Sequence, residues 1–232
     1  LKGYLEFDLF GSALGAEATT NTYGATVRHA NASWGKWLAG QTWSNFQDPA
    51  SLVDTIDLIG ATDGTVFVRQ AQLRYTTGPW AFSLENPETT VGSFRGNGAR
   101  ISSDDNRLPD LTARWTRKGD WGHLSVAGLL RELRHETTSG IDDAGAGYGV
   151  SITGRRVIGG SDDLRFGLTA GRGISRYVGL GIAPDALLDA RNGLEALDMV
   201  AGFAGVRLGR RWLESGAEGD LARLHFHVKY AF

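Results

Sequence analysis

The sequence predicts an all-β protein, a transmembrane antiparallel up-and-down β-barrel of about 12 strands, since closed bacterial barrels have an even number. We expect residues 1–232 to form one transmembrane β-barrel domain. Three observations support this prediction: apolar and polar residues alternate along most of the chain, connections are in turn short and long, and the composition suits strands. The 232 residues include 33 Gly, 5 Pro, 7 Trp, 6 Tyr and 10 Phe, a mixture typical of strands and turns.

Alternation with a period of two marks ten or eleven segments as strands, because successive side chains of a strand point to opposite faces. The first segment, LKGYLEFDLF, sets Leu5 and Phe7 against Lys2 and Glu6. The last, RLHFHVKYAF, is equally regular and ends on Phe232, which resembles the signal read by the outer-membrane assembly machinery. The segments are 1–10, 23–30, 37–43, 66–75, 80–85, 110–116, 124–131, 148–155, 164–170, 199–208 and 223–232.

The segments between these two ends repeat the two-sided pattern in chain order. Their apolar phase carries Val27, Leu73, Phe82, Leu111, Val126, Val150 and Leu168, and their polar phase carries Arg28, Gln72, Ser83, Thr112, Ser125, Ser151 and Thr169. Segments 37–43 and 199–208 are apolar enough for strands but alternate less regularly. An additional compressed hairpin between 199 and 220 would bring the total to about 12, an even number.

Short and long connections alternate, which is the arrangement of an up-and-down barrel. The short ones are 33–37, 76–80, 117–123 and 158–163, and the long ones are 11–22, 44–65, 86–107, 135–146 and 178–197. In membrane barrels the short turns are periplasmic and aromatic residues form girdles at the two interfaces. Five tryptophans near the short turns fit such a girdle: Trp34, Trp37, Trp80, Trp115 and Trp121.

Charge indicates which face of the sheet meets water. The formal net charge is −2, yet basic residues outnumber acidic ones on the polar phase, because most acids lie in the long connections. A lumen lined by that phase would be electropositive and would concentrate anions. A soluble barrel with arginines on its outer face, or arginines paired with Glu6, Asp8, Glu85 and Asp110, are the alternatives. The candidate pore-lining residues are Arg28, Arg74, Arg114, Arg131, Arg155, Arg165, Arg223 and Lys229.

Other classes of function find little support. No run of 18 apolar residues predicts a spanning helix, no secretory signal is visible, and the absence of Cys excludes disulfides and cysteine metal sites. His225 and His227 share a strand face but have no further ligand nearby, so we expect no metal or cofactor. No G-x-S-x-G or similar nucleophile motif appears, so we expect no enzyme, and the net charge argues against nucleic acid.

One long connection has two alternative interpretations. Segment 44–65, SNFQDPASLVDTIDLIGATDGT, is long enough to fold into the lumen as a constriction. It would serve equally well as a surface loop, and alternation does not distinguish the two.

Several blocks of the chain resemble the DcaP-like family of outer-membrane porins. They include WLAGQTWSNF (37–46), FVRQAQLRYT (67–76), DDLRFGLTAGRGISRYVGL (162–180) and LESGAEGDLARLHFHVKYAF (213–232). The resemblance implies a trimeric porin with a basic channel that passes small anions, notably dicarboxylates. Family members look like 16-stranded barrels preceded by a coiled-coil segment, so this chain is expected to be a shortened version with a narrower lumen.

These observations together predict an integral protein of the bacterial outer membrane. We expect a passive channel that prefers small anions such as dicarboxylates, with outer-membrane lipid or lipopolysaccharide, anionic solutes and a homotrimer as partners. The alternative is a plugged or re-engineered barrel that does not conduct and acts as a binding or scaffold protein.

Overall fold

The computed structural model describes residues 1–11, 24–53, 63–93, 100–138, 140–160, 162–207 and 223–230, with only the backbone for 9–11 and 223–230. No helix in these ranges is long and apolar enough to cross a membrane. The strands in chain order are β1 (Lys2–Gly11), β2 (Gly24–Trp34), β3 (Trp37–Trp43), β4 (Arg69–Thr77), β5 (Trp80–Glu85), β6 (Thr89–Gly92), β7 (Arg100–Ser103), β8 (Asp110–Gly119), β9 (Gly122–Glu136), β10 (Asp142–Gly159), β11 (Asp162–Arg172), β12 (Ala186–Leu188), β13 (Leu194–Ala196), β14 (Asp198–Arg207) and β15 (Arg223–Tyr230).

Eleven of these strands form one sheet in the order β1-β2-β3-β4-β5-β8-β9-β10-β11-β14-β15, with antiparallel neighbours throughout. They coincide with the eleven segments that alternation marks, so the all-β antiparallel prediction is confirmed. The strand count of about 12 and the closure of the barrel stay predictions. In the described ranges β1 and β15 are edge strands, and the expected additional hairpin falls largely on 208–222, outside those ranges.

Tight turns and a bulge set the register of this sheet. Gly78 and Gly160 have φ of +56°, a conformation that only glycine adopts readily, in two of the short turns. In β2 the register slips at Arg28, between the pairs Glu6↔His29 and Phe7↔Val27. A bulge of this kind places two successive side chains on nearly the same side of the strand.

The two faces of the sheet have opposite burial. Leu130 and Leu168 are 61% and 58% exposed, whereas Ser125 and Thr169 are only 1% and 2% exposed. A sheet that exposes its leucines and buries its hydroxyls is suited to lipid on the outside and a polar interior. We call the polar side the inner face.

A smaller sheet of four strands, in the order β13-β12-β6-β7, was not predicted from the sequence. Its strands come from the long connections β5–β8 and β11–β14, which lie at the end of the sheet opposite the short turns. Strands of three or four residues alternate too briefly to be seen in a sequence. The small sheet packs against β9 and β10, and it brings loop residues onto the inner face.

Candidate pore lining

Residues 44–53, which we call the inner segment, leave β3 and fold onto the inner face. Ser44, Asn45, Phe46 and Gln47 are all at most 1% exposed. The Ser44 hydroxyl donates to Glu85 Oε2 at 2.7 Å, and the Asn45 backbone N–H donates to Glu85 Oε1 at 2.7 Å. Residues 44–53 therefore lie against the inner face of the sheet, as the constriction interpretation requires. Residues 54–62 lie outside the described residues.

Asp48 binds the inner segment to strands β9 and β10. It caps the one-turn 3-10 helix Pro49–Ser51 by accepting from the Ala50 N–H at 3.2 Å. Its other carboxylate oxygen accepts from His123 Nε2 at 2.7 Å and from the Thr153 hydroxyl at 3.0 Å. Burial alone would raise the pKa of Asp48, but these two hydrogen bonds and the charge of Arg114 outweigh it and hold the pKa below its ordinary value.

Arginines of the inner face bind this segment and the residue before it. Arg74 donates to the carbonyl of Trp43, the last residue of β3, at 2.5 Å and to Gln72 Oε1 at 2.8 Å. Arg114 donates to the Gln47 carbonyl, and Arg165 donates to the Leu52 carbonyl. A carbonyl oxygen carries no formal charge, so an arginine that binds one keeps its full positive charge. These contacts therefore hold the chain in place without neutralising the basic groups of the inner face.

Space for the end of the inner segment comes from a glycine in β14. A Cβ atom added to Gly205 would lie 2.6 Å from Cγ1 of Val53. The side chain of Val53 therefore occupies the place that any larger residue at 205 would fill.

A closed group of charges lies at the loop end of the inner face. We call Asp110, Arg131, Arg176 and Asp185 the loop-end network. Arg131 lies 3.4 Å from Asp110 and 3.1 Å from Asp185, and these three side chains are fully buried. Arg176 lies 3.6 Å from Asp110, and Asp185 also accepts from the Thr90 hydroxyl at 2.9 Å. The network therefore ties the small sheet to β8 and β9.

The short-turn end of the inner face has a different composition. We call Arg155, Asp163, Arg165 and Arg207 the turn-end cluster. Arg155 and Arg165 lie directly opposite each other across β10 and β11, and Asp163 lies opposite Arg207. The Asp163 carboxylate contacts Arg155 at 3.1 Å, Arg165 at 2.9 Å and Arg207 at 2.6 Å. Within the described part of the chain, three guanidinium groups share the Asp163 carboxylate.

The structure separates the eight predicted residues into different settings. Arg28 pairs with Asp8 at 3.2 Å and approaches Glu6 at 3.8 Å. Arg131 belongs to the loop-end network, and Arg155 and Arg165 belong to the turn-end cluster. Arg114 binds the inner segment, and Arg74 binds Trp43 directly before it. Arg223 and Lys229 lie opposite Arg207 and Ala201 in the backbone register of β15, and their side chains lie outside the described residues.

Two acids of the long connections, Asp48 and Asp185, reach the inner face, because their connections fold inward. Sequence alternation also missed Asp163, Arg176 and Arg207, which lie at strand ends or in a loop, where the period of two gives no direction. For Asp163 a signal existed, since it is two residues before Arg165 and so shares its strand face.

The described residues contain no group of three or more His, Asp or Glu side chains placed to hold a metal ion. The side chains of His225 and His227, which the sequence brings to one strand face, lie outside that part of the chain.

Comparison with known proteins agrees with this architecture. A sequence profile of the DcaP outer membrane protein family matches residues 1–216. The crystal structure of the outer membrane channel DcaP of Acinetobacter baumannii superimposes with a TM-score of 0.72 and 25% identity, over 88% of this chain and 56% of that one. This chain thus spans little more than half the length of the channel, and no curated protein sequence matches it.

Neither the matching family nor the matching structure is an enzyme. Both are outer membrane proteins, and their location agrees with an exposed apolar sheet face. Since the profile covers more than nine-tenths of the 232 residues, the chain belongs to the DcaP outer membrane protein family and is an integral protein of the outer membrane.

Proposed function

We propose that the chain forms, as one domain, the wall of a passive diffusion channel that prefers small anions, dicarboxylates among them. The solved DcaP structure is a channel, and the strand order, the exposed apolar face and the polar inner face described above are what a channel wall needs. In this proposal nothing is chemically transformed. Solutes bind weakly at several positions, because tight binding would prevent their release.

The observation that carries the anion preference is the excess of basic groups toward the short turns. Among the residues that the structure describes, the turn-end cluster places three arginines around the Asp163 carboxylate. Arg74 and Arg114, in the described part of the chain, have no carboxylate oxygen within 4 Å and bind carbonyl and amide oxygens instead. Positive charge in a narrow, low-dielectric passage attracts carboxylates, and the arginine fork matches their geometry.

The second candidate is a barrel that is plugged and does not conduct. The observation in its favour is the packing of Phe46, from the inner segment, against Tyr177, with ring centroids 5.8 Å apart. Both rings are buried, together with Val66, Leu129 and Ile174, in an apolar cluster beneath the loops. Such a cluster blocks part of the interior, so the conducting path of the proposed channel runs beside it.

Planar-bilayer recording of the purified full chain separates the two candidates. A channel gives stepwise changes in current. Under a KCl gradient, the reversal potential of an anion-preferring channel lies closer to the equilibrium potential of chloride than to that of potassium. Arg155→Glu combined with Arg207→Glu is expected to move the reversal potential toward potassium. These two residues make a better test than Arg74 and Arg114, whose replacement would also remove contacts with Trp43 and with Gln47 of the inner segment. Absence of conductance in folded, inserted protein supports the plugged barrel.

We also propose that the apolar outer face contacts lipid or lipopolysaccharide and that the chain forms a homotrimer. The exposed row of Leu73, Leu84, Leu111 and Leu130 supports a lipid contact. Light scattering on protein in detergent measures the mass of the assembly directly, and a mass of one chain would contradict the trimer.

A further inference from the structure

The turn-end cluster contains a buried carboxylate, Asp163, between two arginines that face each other. Arg155 and Arg165 face each other across two strands, and like charges placed in this way repel. The Asp163 carboxylate lies within hydrogen-bond distance of both Nε atoms. It is fully buried behind the arginines, so it has no direct access to the passage.

The arginines are not equally enclosed. The side chain of Arg165 is 14% exposed and is also bound to the Leu52 carbonyl, whereas Arg155 and Arg207 are 37% and 40% exposed. A guanidinium group has five N–H donors, and Asp163 accepts from Arg155 through Nε alone. Donors of Arg155 and Arg207 therefore face water, where a solute would meet them.

Asp163 presents to these arginines the same group that a permeating carboxylate would present. The closest contacts, 2.6 Å to Arg207 and 2.9 Å to Arg165, are typical of charge-assisted hydrogen bonds. An arginine that is already bound to a carboxylate attracts a second one less strongly, because part of its charge is neutralised. A fixed internal carboxylate thus prevents a strongly basic site from binding carboxylate solutes so tightly that they are not released.

We propose that Asp163 is a specificity-determining residue that acts as a built-in competitor of permeating carboxylates and so sets how long they stay at the turn-end cluster. The inference rests on the proposed channel function and deepens it. A carboxylate solute contacts the exposed donors of Arg155 and Arg207 while Asp163 keeps its share of their charge. No bond is made or broken, and release is fast because the fixed competitor is already in place.

The test compares the wild type with Asp163→Asn in planar bilayers, with succinate as the dicarboxylate probe. Succinate interrupts the current while it is bound, so the length of each interruption is its residence time. We expect the variant to hold succinate about tenfold longer, as a gain of ~1.4 kcal/mol in binding free energy would produce. We also expect its reversal potential to move further toward chloride.

Asp142→Asn is the matched control. It removes the same charge from an exposed carboxylate that pairs with Arg134 at the loop end of the sheet. Its residence time should equal that of the wild type. Equal residence times for Asp163→Asn and the wild type, or a shorter time for the variant, would mean that Asp163 only positions the arginines, and would overturn the proposal.

Two further measurements keep the outcome decisive. If the wild type does not conduct, the channel function fails, and calorimetric titration of succinate into folded protein tests the inference alone, with about tenfold tighter binding expected for Asp163→Asn. If Asp163→Asn does not fold, Arg207→Gln takes its place. This variant leaves the competitor and removes an exposed donor, so succinate should leave faster, and an unchanged residence time would overturn the proposal.

Discussion

The loop-end network and the turn-end cluster consist of the same residue types, arginine and aspartate, but differ in charge balance and in exposure to water. At the loop end, Arg131 and Arg176 meet Asp110, Asp185 and the partly exposed Glu88, so the described arginines have no excess over the acids, and the Arg131 side chain is fully enclosed. At the turn end, three arginines share Asp163, and two of them reach water. A dry group of charges without a basic excess holds structure, whereas a group that exposes arginines to water can also attract anionic solutes.

Their different surroundings explain the difference. The loop-end network lies under the small sheet, where an uncompensated charge would be costly because no water can solvate it. The turn-end cluster lies beside short turns, which do not cover the inner face. The long connections thus determine which arginines are structural, because they supply the cover and one of the acids, Asp185, beside Asp110 of β8.

The largest effect should follow from breaking the loop-end network. Arg131→Met leaves Asp110 and Asp185 buried without their main partner, and we expect a loss of about 3–5 kcal/mol in the free energy of unfolding. Urea unfolding in lipid vesicles, followed by tryptophan fluorescence, measures this loss. If Arg131→Met unfolds like the wild type, the network does not hold the loops.

The next effect concerns the inner segment that lies between the two regions. Asp48→Asn weakens the contacts with His123 and Thr153. We expect the inner segment to detach from β9 and β10 at this point and the single-channel conductance to rise. The cost in stability should be about 1–3 kcal/mol, because buried polar groups lose their charged acceptor. Asp189→Asn, in an exposed turn, is the control. A conductance equal to that of the wild type would show that the segment does not narrow the passage.

Much of the architecture could be predicted from residue order alone. Exposed Leu168 and buried Thr169 follow from alternation, because one lipid-facing and one polar face repeat every second residue. The inward fold of Phe46 and Asp48 could not, because their partners Tyr177, His123 and Thr153 are distant in sequence. For the same reason, the sequence predicts that Arg131 lies on the inner face but does not show that Asp185 neutralises it.

Acid should release the inner segment in the same direction as Asp48→Asn. Because the pKa of Asp48 is lowered in the folded protein, its contribution is fully present above the ordinary value of about 3.9 and is lost as the pH falls through the lower, folded value. We therefore expect Asp48 to give no change in conductance between pH 7 and 5 and a rise below about pH 4. Arg114 stays charged throughout. The Asp48→Asn variant, recorded in parallel, should lack that step, and a step of equal size in the variant would assign it to another group.

The smallest effect on stability should come from the turn-end cluster. Arg155→Gln and Arg207→Gln each remove one partly exposed partner of Asp163, and pairs of this kind contribute only about 0–1 kcal/mol. Arg165 remains at 2.9 Å to hold the carboxylate, so folding is preserved. The same urea titration should therefore superimpose on that of the wild type, while the reversal potential moves away from chloride. A loss as large as that of Arg131→Met would instead make the turn-end cluster a second structural network, and the contrast between the two ends of the sheet would disappear.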